Sequence, residues 1–500
     1  MEEVRERGWK CILFILRYPF TLAERGYVPA IRLSGINRIR LFSQKHYYLS
    51  IFLSFSIAFF YGCAPKTTEA TLPVEAPDTF SNTGDLQLPE RWWTTLDDPQ
   101  LNSLIDSALA ANFDLQVAWD RLQAAQAVIE RESAPLLPQI DASLQTGISF
   151  PQPDFVGGEN TRLGLQAEYE LDLWGRIRAS VEAERFRFNA TLSDYQAAAI
   201  SLSAEIALTW YRLLEARSQV ALIDRQIETN EQILSLLETR LGRGQVQGVD
   251  IIRQRQLLEA TREQRAFAEA DVQVLENQLS VLSGRPPQRG INNQSENLPA
   301  LPPLPETGVP IELVRRRPDI QSAYFRLKAA DRDLAAAISS KYPRLSISGN
   351  ASLRSNSFDN LLQEFAYSFA GNILAPIFYG GQLNAEVDRN EAVKQQRLYE
   401  YGQAVLIAFR EVEDALIQEQ KQRESIQFLE EQVNLARQAY DRLRTGYLNG
   451  TSNYLDVLTA LDQEQQLRRD LLSANLILLE FRIALYRALA GSIETEQDAG

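Results

Sequence analysis

Histidine, cysteine and methionine are almost absent from this chain of 500 residues, which contains one His, two Cys and one Met. Three of these four residues, Met1, Cys11 and His46, lie in the first 62 residues, and Cys63 follows directly. Ser–His and Cys–His catalysis, thiol redox chemistry and soft-metal sites all depend on these residue types. No pair of carboxylates stands out as a general acid and base. The composition therefore predicts that the protein is not an enzyme, and it indicates no metal site.

Positive charge is also scarce, because the formal net charge of the chain is −14. Residues 1–62 carry nine Lys or Arg against four Asp or Glu, so the rest of the chain has a charge near −19. A surface of this sign repels the phosphates of DNA and RNA. We therefore expect no nucleic acid among the partners.

A short apolar stretch near the N-terminus has the order of a secretory signal. The apolar residues 47–60 follow basic residues and precede Gly62-Cys63, and the basic residues are Arg38, Arg40 and Lys45. The stretch is too short for a comfortable membrane span. Because a cysteine follows Gly62, the segment resembles a bacterial lipoprotein signal, which predicts a lipid on Cys63 and a mature chain that begins there. The alternatives are an ordinary signal peptide and an N-terminal membrane anchor.

The longest element is a run of 65 residues, 177–241, without Gly or Pro. As a helix it would span about 100 Å, a length typical of coiled coils and conduits. Its apolar residues recur three and four apart, as in a coiled-coil seam: Ile206, Trp210, Leu213, Val220, Ile223, Ile227, Leu234, Leu237 and Leu241. A turn at Gly242 and Gly244 leads to a second helical run, residues 249–283. The sequence thus predicts a long antiparallel helical hairpin.

The hairpin occurs twice in the chain, because residues 382–445 and 451–490 repeat its pattern around a turn at Gly446 and Gly450. Gly244 precedes Asp250 by the same spacing as Gly450 precedes Asp456. The two copies lie about 205 residues apart and keep this offset almost unchanged. An internal duplication of the whole unit is therefore predicted.

Each copy also contains a shorter helix and two strands ahead of its hairpin. In the first copy the helix runs from Leu101 to about Ser133, with Asp98 as its cap and Pro99 in its first turn. Apolar and polar residues then alternate over 140–148 and 163–173, and in the second copy over 345–353 and 365–373. Such two-faced strands are typical of sheets between lipid and water, or of an amphipathic sheet on a soluble core. In the first case water contacts Asp141, Glu168, Glu170 and Asp172, and lipid contacts Leu163, Leu165, Leu171, Ile347 and Phe369.

Four strands cannot close into a barrel, since known transmembrane barrels have at least eight. An open strand edge leaves backbone N–H and C=O groups without partners, which the lipid interior does not allow. If the strands face lipid, at least two chains must therefore share one barrel.

Two motifs carry a resemblance to a known family. The first is Leu313-Val314-Arg315-Arg316-Arg317-Pro318-Asp319-Ile320, and the second is Tyr486-Arg487-Ala488-Leu489 before Gly491. Together with the duplicated order of helix, two strands and hairpin, they resemble the TolC-like outer membrane efflux proteins, and specifically their lipoprotein branch. The resemblance covers roughly Cys63 to Gly491.

The resemblance implies an α+β membrane protein in which three chains form a twelve-stranded barrel in the outer membrane. Long helices would continue this barrel as a coiled-coil tunnel through the periplasm, with a belt of short helices and connecting segments around its middle. It also implies a passive, gated exit duct for small molecules, with a periplasmic adaptor and an inner-membrane pump, usually proton-driven, as partners. The covalent lipid on Cys63 is the only added group expected. Two alternatives are the same fold serving protein secretion or metal-ion efflux, and a structural lipid-anchored coiled-coil protein.

The expected domain organisation follows from the same pattern. Residues 1–62 are an N-terminal extension and signal peptide, and 63–98 are a lipid-anchored tether and equatorial segment. The first structural repeat is 99–284, a Pro-rich connector is 285–310, and the second repeat is 311–491. Residues 492–500 form a C-terminal tail.

By resemblance, the periplasmic gate lies at the hairpin tips and includes Tyr447, Leu455, Asp456 and Asp250, with Gly244 and Gly450 in the turns. Tyr447 would bond between neighbouring helices, and Leu455 and Asp456 would line the narrowest part of the pore. Three copies of Asp456 would attract cations. The alternative is that Asp250 and Asp456 only cap the helices that follow the turns.

Overall fold

The computed structural model describes residues 73–148, 159–287, 298–355 and 365–493. Cys63 and the predicted signal segment lie outside the described residues. In the first half the elements are α1 (Pro99–Ala111), α2 (Phe113–Ser133), β1 (Gln139–Ile148), β2 (Glu159–Leu171), α3 (Arg176–Leu241) and α4 (Gly248–Leu282). In the second they are α5 (Pro310–Arg316), α6 (Pro318–Ser339), β3 (Arg344–Ser355), β4 (Phe365–Leu374), α7 (Gln382–Leu448) and α8 (Tyr454–Leu489). The order repeats, as the duplication predicted.

The prediction of one helix from Leu101 to Ser133 is wrong, because the chain leaves the helix at Asn112 and begins another. The Asn112 backbone is extended, and its side-chain oxygen accepts a hydrogen bond from the Leu115 N–H at 3.0 Å. Its amide nitrogen donates to the Leu282 carbonyl at 2.9 Å, which fixes the break against the end of α4. The second half breaks at the equivalent place, between α5 and α6.

The turn of the second hairpin lies three residues later in the chain than predicted. Helix α7 continues through Gly446 to Leu448, and only five residues separate it from α8. Gly450 has φ +79° and Gly244 has φ +71°, a backbone conformation that side chains other than glycine rarely adopt. Both predicted turn glycines therefore have a conformational role.

Helix α1 begins as the sequence predicted. The Asp98 carboxylate accepts hydrogen bonds from the N–H groups of Gln100 at 3.0 Å and Leu101 at 3.1 Å, and Pro99 occupies the first turn. The other Asp98 oxygen accepts from the indole N–H of Trp210 at 2.8 Å. One carboxylate thus caps α1 and attaches it to the middle of α3.

The four strands form one antiparallel sheet in the order β1-β2-β3-β4. Its register places Ala142, Leu165, Ala351 and Tyr367 in one row across the four strands. The adjacent row contains Asp141, Gln166, Asn350 and Ser368. Because successive side chains of a strand point to opposite faces, one face of the sheet is apolar and the other is polar. Within one chain, β1 and β4 are the edges of this sheet.

The sheet joins the long helices through a polar junction. The Asp172 carboxylate accepts hydrogen bonds from the N–H groups of Ile177 at 3.1 Å and Arg178 at 2.9 Å, and its side chain is only 9% exposed. The prediction that Asp172 contacts water is therefore wrong, because this carboxylate stabilises the start of α3. Glu170 pairs with Arg176 at 2.9 Å nearby.

Aromatic residues join the two halves of the chain at the same level. Trp174 stacks on Tyr342 with ring centroids 5.0 Å apart, and its indole N–H donates to the Pro343 carbonyl at 2.7 Å. The Ser339 hydroxyl donates to the Trp174 carbonyl at 3.0 Å. Aromatic residues are common where barrels meet the membrane surface.

The main core lies around the middle of the long helices. Helix α2 packs on α3, and α6 packs against both α3 and α7. Large aromatic side chains are fully buried there: Trp92, Trp93, Tyr195, Trp210, Tyr211 and Tyr486. They place the short segment before α1 and the C-terminal end of α8 in one cluster.

The Arg317-Pro318-Asp319 motif connects three helices in this region. The Arg317 guanidinium pairs with Asp319 at 2.6 Å and with Glu411 of α7 at 2.7 Å, and it donates to the Ala488 carbonyl of α8 at 3.3 Å. Burial by itself would raise the pKa of Asp319, but the hydrogen bond and charge of Arg317 hold that pKa below its usual value. The motif thus fixes the start of α6.

A second buried arginine attaches the Pro-rich connector to the helices. Arg482 is fully buried, and it pairs with Glu419 through bonds of 2.6 and 2.8 Å. It also donates to the carbonyls of Pro302 at 2.6 Å and Pro303 at 2.8 Å. Removing one partner of a buried ion pair lowers the free energy of unfolding by about 3–5 kcal/mol, so Arg482 is a strongly held side chain to which the connector is attached.

No helix in the described ranges is long and apolar enough to cross a membrane.

The two faces of the sheet predict opposite responses to an added charge. If the apolar face contacts lipid, Leu165→Arg should lower the free energy of unfolding of the assembled barrel by about 2–4 kcal/mol per chain, because a mid-strand arginine would then contact hydrocarbon. Glu168→Arg on the polar face is the matched control and should have a far smaller effect. Both are measured by denaturant unfolding of the trimer in lipid vesicles. Equal losses would contradict the assignment of the faces.

Candidate gate at the helical hairpin tips

The two hairpin tips of one chain pack against each other through a small apolar cluster. Leu237 of α3, Ile251 of α4, and Tyr454 and Val457 of α8 are its buried members. Partly buried residues of α3 and α7 surround them, and Tyr447 is one of these. Burial of this surface therefore holds the two tips together in the conformation described here.

Tyr447 lies at the edge of this cluster. Its ring centroid is 5.3 Å from that of Tyr454, and the Arg240 guanidinium carbon is 5.9 Å from the centre of the ring. Burial, and then the nearby charge of Asp250, raises the pKa of Tyr447. Its hydroxyl is buried without a hydrogen-bond partner among the described residues, which ordinarily costs about 1–3 kcal/mol. Arg240 lies beside this hydroxyl, and its charge and side chain oppose the rise in the pKa of Tyr447.

The two predicted tip carboxylates occupy equivalent positions, but they have different surroundings. The Asp250 carboxylate accepts a hydrogen bond from the Gln247 N–H at 3.3 Å, so it helps to cap α4. In the other hairpin the cap is Asn453, whose side-chain oxygen accepts from the Asp456 N–H at 3.0 Å. The capping interpretation fits Asp250, whereas the Asp456 carboxylate is exposed and makes no hydrogen bond in the described ranges.

The first turn of α8 separates buried from exposed residues. Tyr454 and Val457 contact the apolar cluster, whereas Leu455 is 45% exposed and Asp456 is also exposed. The structure thus brings all four predicted gate residues to the tips. It places Leu455 and Asp456 on a surface that the chain itself does not cover.

A buried network of amides above the tips was not anticipated from the sequence. Asn230 of α3 and Gln254 of α4 are fully buried, and Gln465 of α8 is nearly so. The Gln254 amide donates to the Asn230 carbonyl at 3.0 Å, and the Gln465 amide donates to the Asn230 side-chain oxygen at 3.2 Å. The Tyr454 hydroxyl donates to the Gln254 side-chain oxygen at 2.5 Å. Three helices from both hairpins therefore share one set of hydrogen bonds.

The spacing of the apolar residues contains the signal that could have revealed this network. Asn230 lies three residues after Ile227 and four before Leu234, so it occupies a seam position. A polar residue at such a position fixes the register of packed helices at some cost in stability. The Asn230 amide therefore both joins the two hairpins and fixes their register relative to each other.

A family model described as "Outer membrane efflux protein" matches residues 104–285 and 309–491. The chain belongs to this family. The two matched ranges correspond to the two halves of the duplication, and together they cover well over half of the chain. The family inferred from the two motifs and the duplicated order of elements is therefore confirmed.

Individual relatives extend over most of the chain. The pyoverdine export outer membrane protein OpmQ of Pseudomonas putida (strain KT2440) is 29% identical over 418 residues, which are 81% of this chain and 89% of that protein. The cation efflux system protein CusC of Escherichia coli (strain K12) is 28% identical over 428 residues, 84% of this chain and 91% of that protein. The solved structure of the outer-membrane channel OprN has a TM-score of 0.78 at 28% identity, and the match covers 86% of this chain and 99% of that one.

These findings confirm the predicted fold class and the general function. The protein is an outer membrane channel of efflux systems with four strands per chain, two duplicated halves and a periplasmic extension, and it is not an enzyme. The family forms trimeric channels in tripartite efflux systems. Among the described residues, no group of His, Cys, Asp and Glu is arranged to hold a metal ion.

The amide network predicts a specific weakening of the contact between the hairpins. Gln254→Leu keeps the size of the side chain but leaves the Asn230 carbonyl and the Tyr454 hydroxyl without this partner, at a cost of about 1–3 kcal/mol per group. Hydrogen exchange should become roughly ten times faster or more in the first turns of α8 and remain unchanged around Tyr486. The control is Gln232→Leu on the exposed side of α3. The network has no such role if both variants exchange like the wild type.

Proposed function

We propose that three chains form a passive duct for small molecules whose periplasmic entrance is closed by the hairpin tips. The observation that carries this proposal is the exposed pair Leu455 and Asp456, whose backbone is held by the Asn453 cap while the side chains remain uncovered. A threefold axis repeats this pair three times around one opening. The apolar side chains then narrow the entrance, and the carboxylates give it negative charge.

Three like charges at a narrow opening repel each other unless cations or protons compensate them. The apolar cluster and the amide network hold the tips of each chain together, so each tip moves as a unit when the carboxylates separate. Opening therefore requires a partner with higher affinity for the separated tips, because only differential affinity shifts such an equilibrium. We assign this role to a periplasmic adaptor coupled to an inner-membrane pump, usually proton-driven in the lipoprotein branch.

Two relatives with similar identity to this chain are named for different exported substances, pyoverdine for OpmQ and cations for CusC. We therefore assign the choice of cargo to the pump rather than to the duct. The residues after 62 include no His and no Met, which argues against soft-metal sites along this duct but not against metal ions as cargo. Small organic molecules are the cargo that we propose, and cation efflux is the second candidate.

The lipoprotein branch is also part of the proposal. Cys63 follows a segment that is first basic and then apolar. Further along the chain, Phe80 is buried in a cluster with residues of α7 and α8. A lipid at Cys63 would add a second attachment to the outer membrane besides the barrel. The boundaries of the signal, the tether and the two repeats stay predictions from the sequence.

Acylation of Cys63 can be tested directly on the purified mature protein. We expect the mass of the N-terminal peptide to include a diacylglycerol-type modification, and Cys63→Ser to abolish it while the trimer still forms. The readout is intact mass and peptide mapping. A mature N-terminus at another residue without lipid would refute this assignment.

Tyr447 should restrain the closed entrance through its hydroxyl, which has no partner within the described part of its own chain. Tyr447→Phe retains the ring contacts with Tyr454 and Arg240, so trimer stability should stay unchanged. Single-channel conductance and antibiotic leakage into cells should both rise, because a contact that keeps the tips closed is lost. If conductance is unchanged while the trimer remains intact, the restraint lies elsewhere.

The Asp456 carboxylate should attract divalent cations to the entrance. Asp456→Asn removes the charge but leaves the Asn453 cap, and block by Mg²⁺ from the helical side should weaken by about one order of magnitude or more. Asp250→Asn is the matched control, because Asp250 occupies the same helix position but its carboxylate is engaged with Gln247. Equal block in Asp456→Asn and the wild type would exclude Asp456 from the aperture.

A further inference from the structure

The two hairpins of one chain correspond to each other residue by residue. Gly175 before α3 corresponds to Gly381 before α7, and Gly244 corresponds to Gly450, and in both cases the two glycines lie 206 positions apart. Buried residues of α4 recur in α8 with the same offset, as in the pairs Ile251 and Val457, Ala268 and Ala474, and Leu279 and Leu485. Every position of α3 and α4 therefore has an equivalent in α7 and α8.

The long helices of one chain pack in a row, with α4 on α3, α3 on α8 and α8 on α7. The contact between α3 and α8 joins the two hairpins, and above the amide network it is polar. The Ser473 hydroxyl donates to the Glu215 carboxylate at 2.9 Å and accepts from the Gln219 amide at 3.2 Å. Glu480 pairs with Arg212 at 2.6 Å. Hydrogen bonds and an ion pair thus connect the hairpins within the chain.

The equivalent face of α4 is apolar and exposed. Phe267 corresponds to Ser473 and Val274 corresponds to Glu480, but Phe267 is 66% exposed and Val274 is 61% exposed. Helix α4 is the last helix of the row, so the described part of the chain does not cover this face. Large exposed apolar side chains on one face commonly mark a site of protein contact.

Helix α7, at the other end of the row, exposes the matching face. Phe428 is 71% exposed, whereas its equivalent in α3, Leu222, is only 7% exposed. Leu222 lies between Gln219 and Gln226 on one side of α3, and both of these amides donate hydrogen bonds to α8. The side of α7 that contains Phe428 is therefore the equivalent of the side of α3 that α8 covers.

A second copy of this chain is the partner that fits both faces. The family forms trimeric channels, and a row of helices closes into a tube only if its two ends meet those of neighbouring chains. Because α3 and α8 are the equivalents of α7 and α4, the contact between α3 and α8 is the template for a contact between α7 of one chain and α4 of the next.

We propose that Phe267 and Val274 of one chain pack against the face of α7 that contains Phe428 in the neighbouring chain, and so form an apolar seam between chains. This inference rests on the trimer of the proposed duct. The tube then contains two chemically different seams. Hydrogen bonds and ion pairs join the hairpins within a chain, whereas apolar side chains join the hairpins of neighbouring chains.

Chemical crosslinking of the full-length protein in membranes tests the seam directly. The contact of Ser473 with Gln219 within a chain corresponds to Phe267 and Ser425 across the seam. The double variant Phe267→Cys with Ser425→Cys, treated with a short bis-maleimide, should give covalently linked dimers and trimers on a denaturing gel. A second pair, Val274→Cys with Gln418→Cys, retains Phe267 and should give the same products.

The matched control for crosslinking is the equivalent pair within one chain. Gln219→Cys with Ser473→Cys should lose its free thiols but still migrate as a single chain. Variants with one added cysteine should also migrate as single chains, which accounts for the natural Cys63. Heat-modifiable migration verifies that every variant is a trimer before treatment. If the control pair reacts and neither pair across the seam links the chains of intact trimers, the proposal is overturned.

The apolar character of the seam is tested by the rate at which the trimer dissociates in detergent. Phe428→Lys should accelerate dissociation by about tenfold or more, because it removes a buried aromatic side chain. Phe428→Leu introduces the residue of the equivalent position in α3 and should have a far smaller effect. Leu435→Lys is the matched control on the same helix, because the equivalent Thr229 is exposed in α3. A rate for Phe428→Lys equal to that of Leu435→Lys would refute the apolar contact.

Conductance in planar bilayers separates this seam from the function of the duct. Conducting trimers without links across the seam would refute only the seam, and a separate protein would then be the partner of the exposed faces. Trimers that link through the cysteine pairs but never conduct, even with Tyr447→Phe present, would refute the duct and leave the seam in place.

Discussion

The unpaired backbone of the strand edges is the constraint on which the rest of this molecule depends. Each chain contributes four strands, and β1 and β4 each present an edge of N–H and C=O groups. Lipid cannot satisfy these groups, so the edges of one chain must pair with those of others. The need to pair these edges requires several chains in one barrel, and the family forms trimeric channels.

The helices extend the same closed arrangement with a different kind of packing. Apolar contacts dominate the belt, where tryptophans and the buried Arg482–Glu419 pair join the first segment, the connector and α8. Towards the tips the apolar cluster becomes small, and amides supply much of the contact between hairpins. Amide hydrogen bonds can be replaced by water when helices separate, whereas the belt would expose large apolar surfaces. The contact between the tips therefore buries less apolar surface than the belt does.

The charges on the polar surfaces change sign along the molecule. Exposed carboxylates occur at the tips, where Asp456 is uncovered, and on the inner part of the sheet, at Asp141 and Glu168. Arginines occupy the outer end of the sheet.

The sequence by itself determined the duplication, the long hairpins, the two-faced strands and the positions of the turn glycines. These features depend on periodicity and on local backbone preference, which are visible residue by residue. The motif around Arg317 identified the family, and its contacts with Glu411 and Ala488 explain physically why such residues occur together.

Only the tertiary structure decided matters that depend on distant partners. The break at Asn112 depends on the Leu282 carbonyl, and the role of Asp172 depends on the start of α3. Asp250 and Asp456 have equivalent sequence positions, but the Asp250 carboxylate accepts from the Gln247 N–H, whereas Asp456 donates its own N–H to the Asn453 side chain. The amide network required knowledge of helix packing, and the pairing of Arg162 with Arg354 across β2 and β3 required the strand register. These contacts join residues as far as 235 positions apart, and no local pattern specifies them.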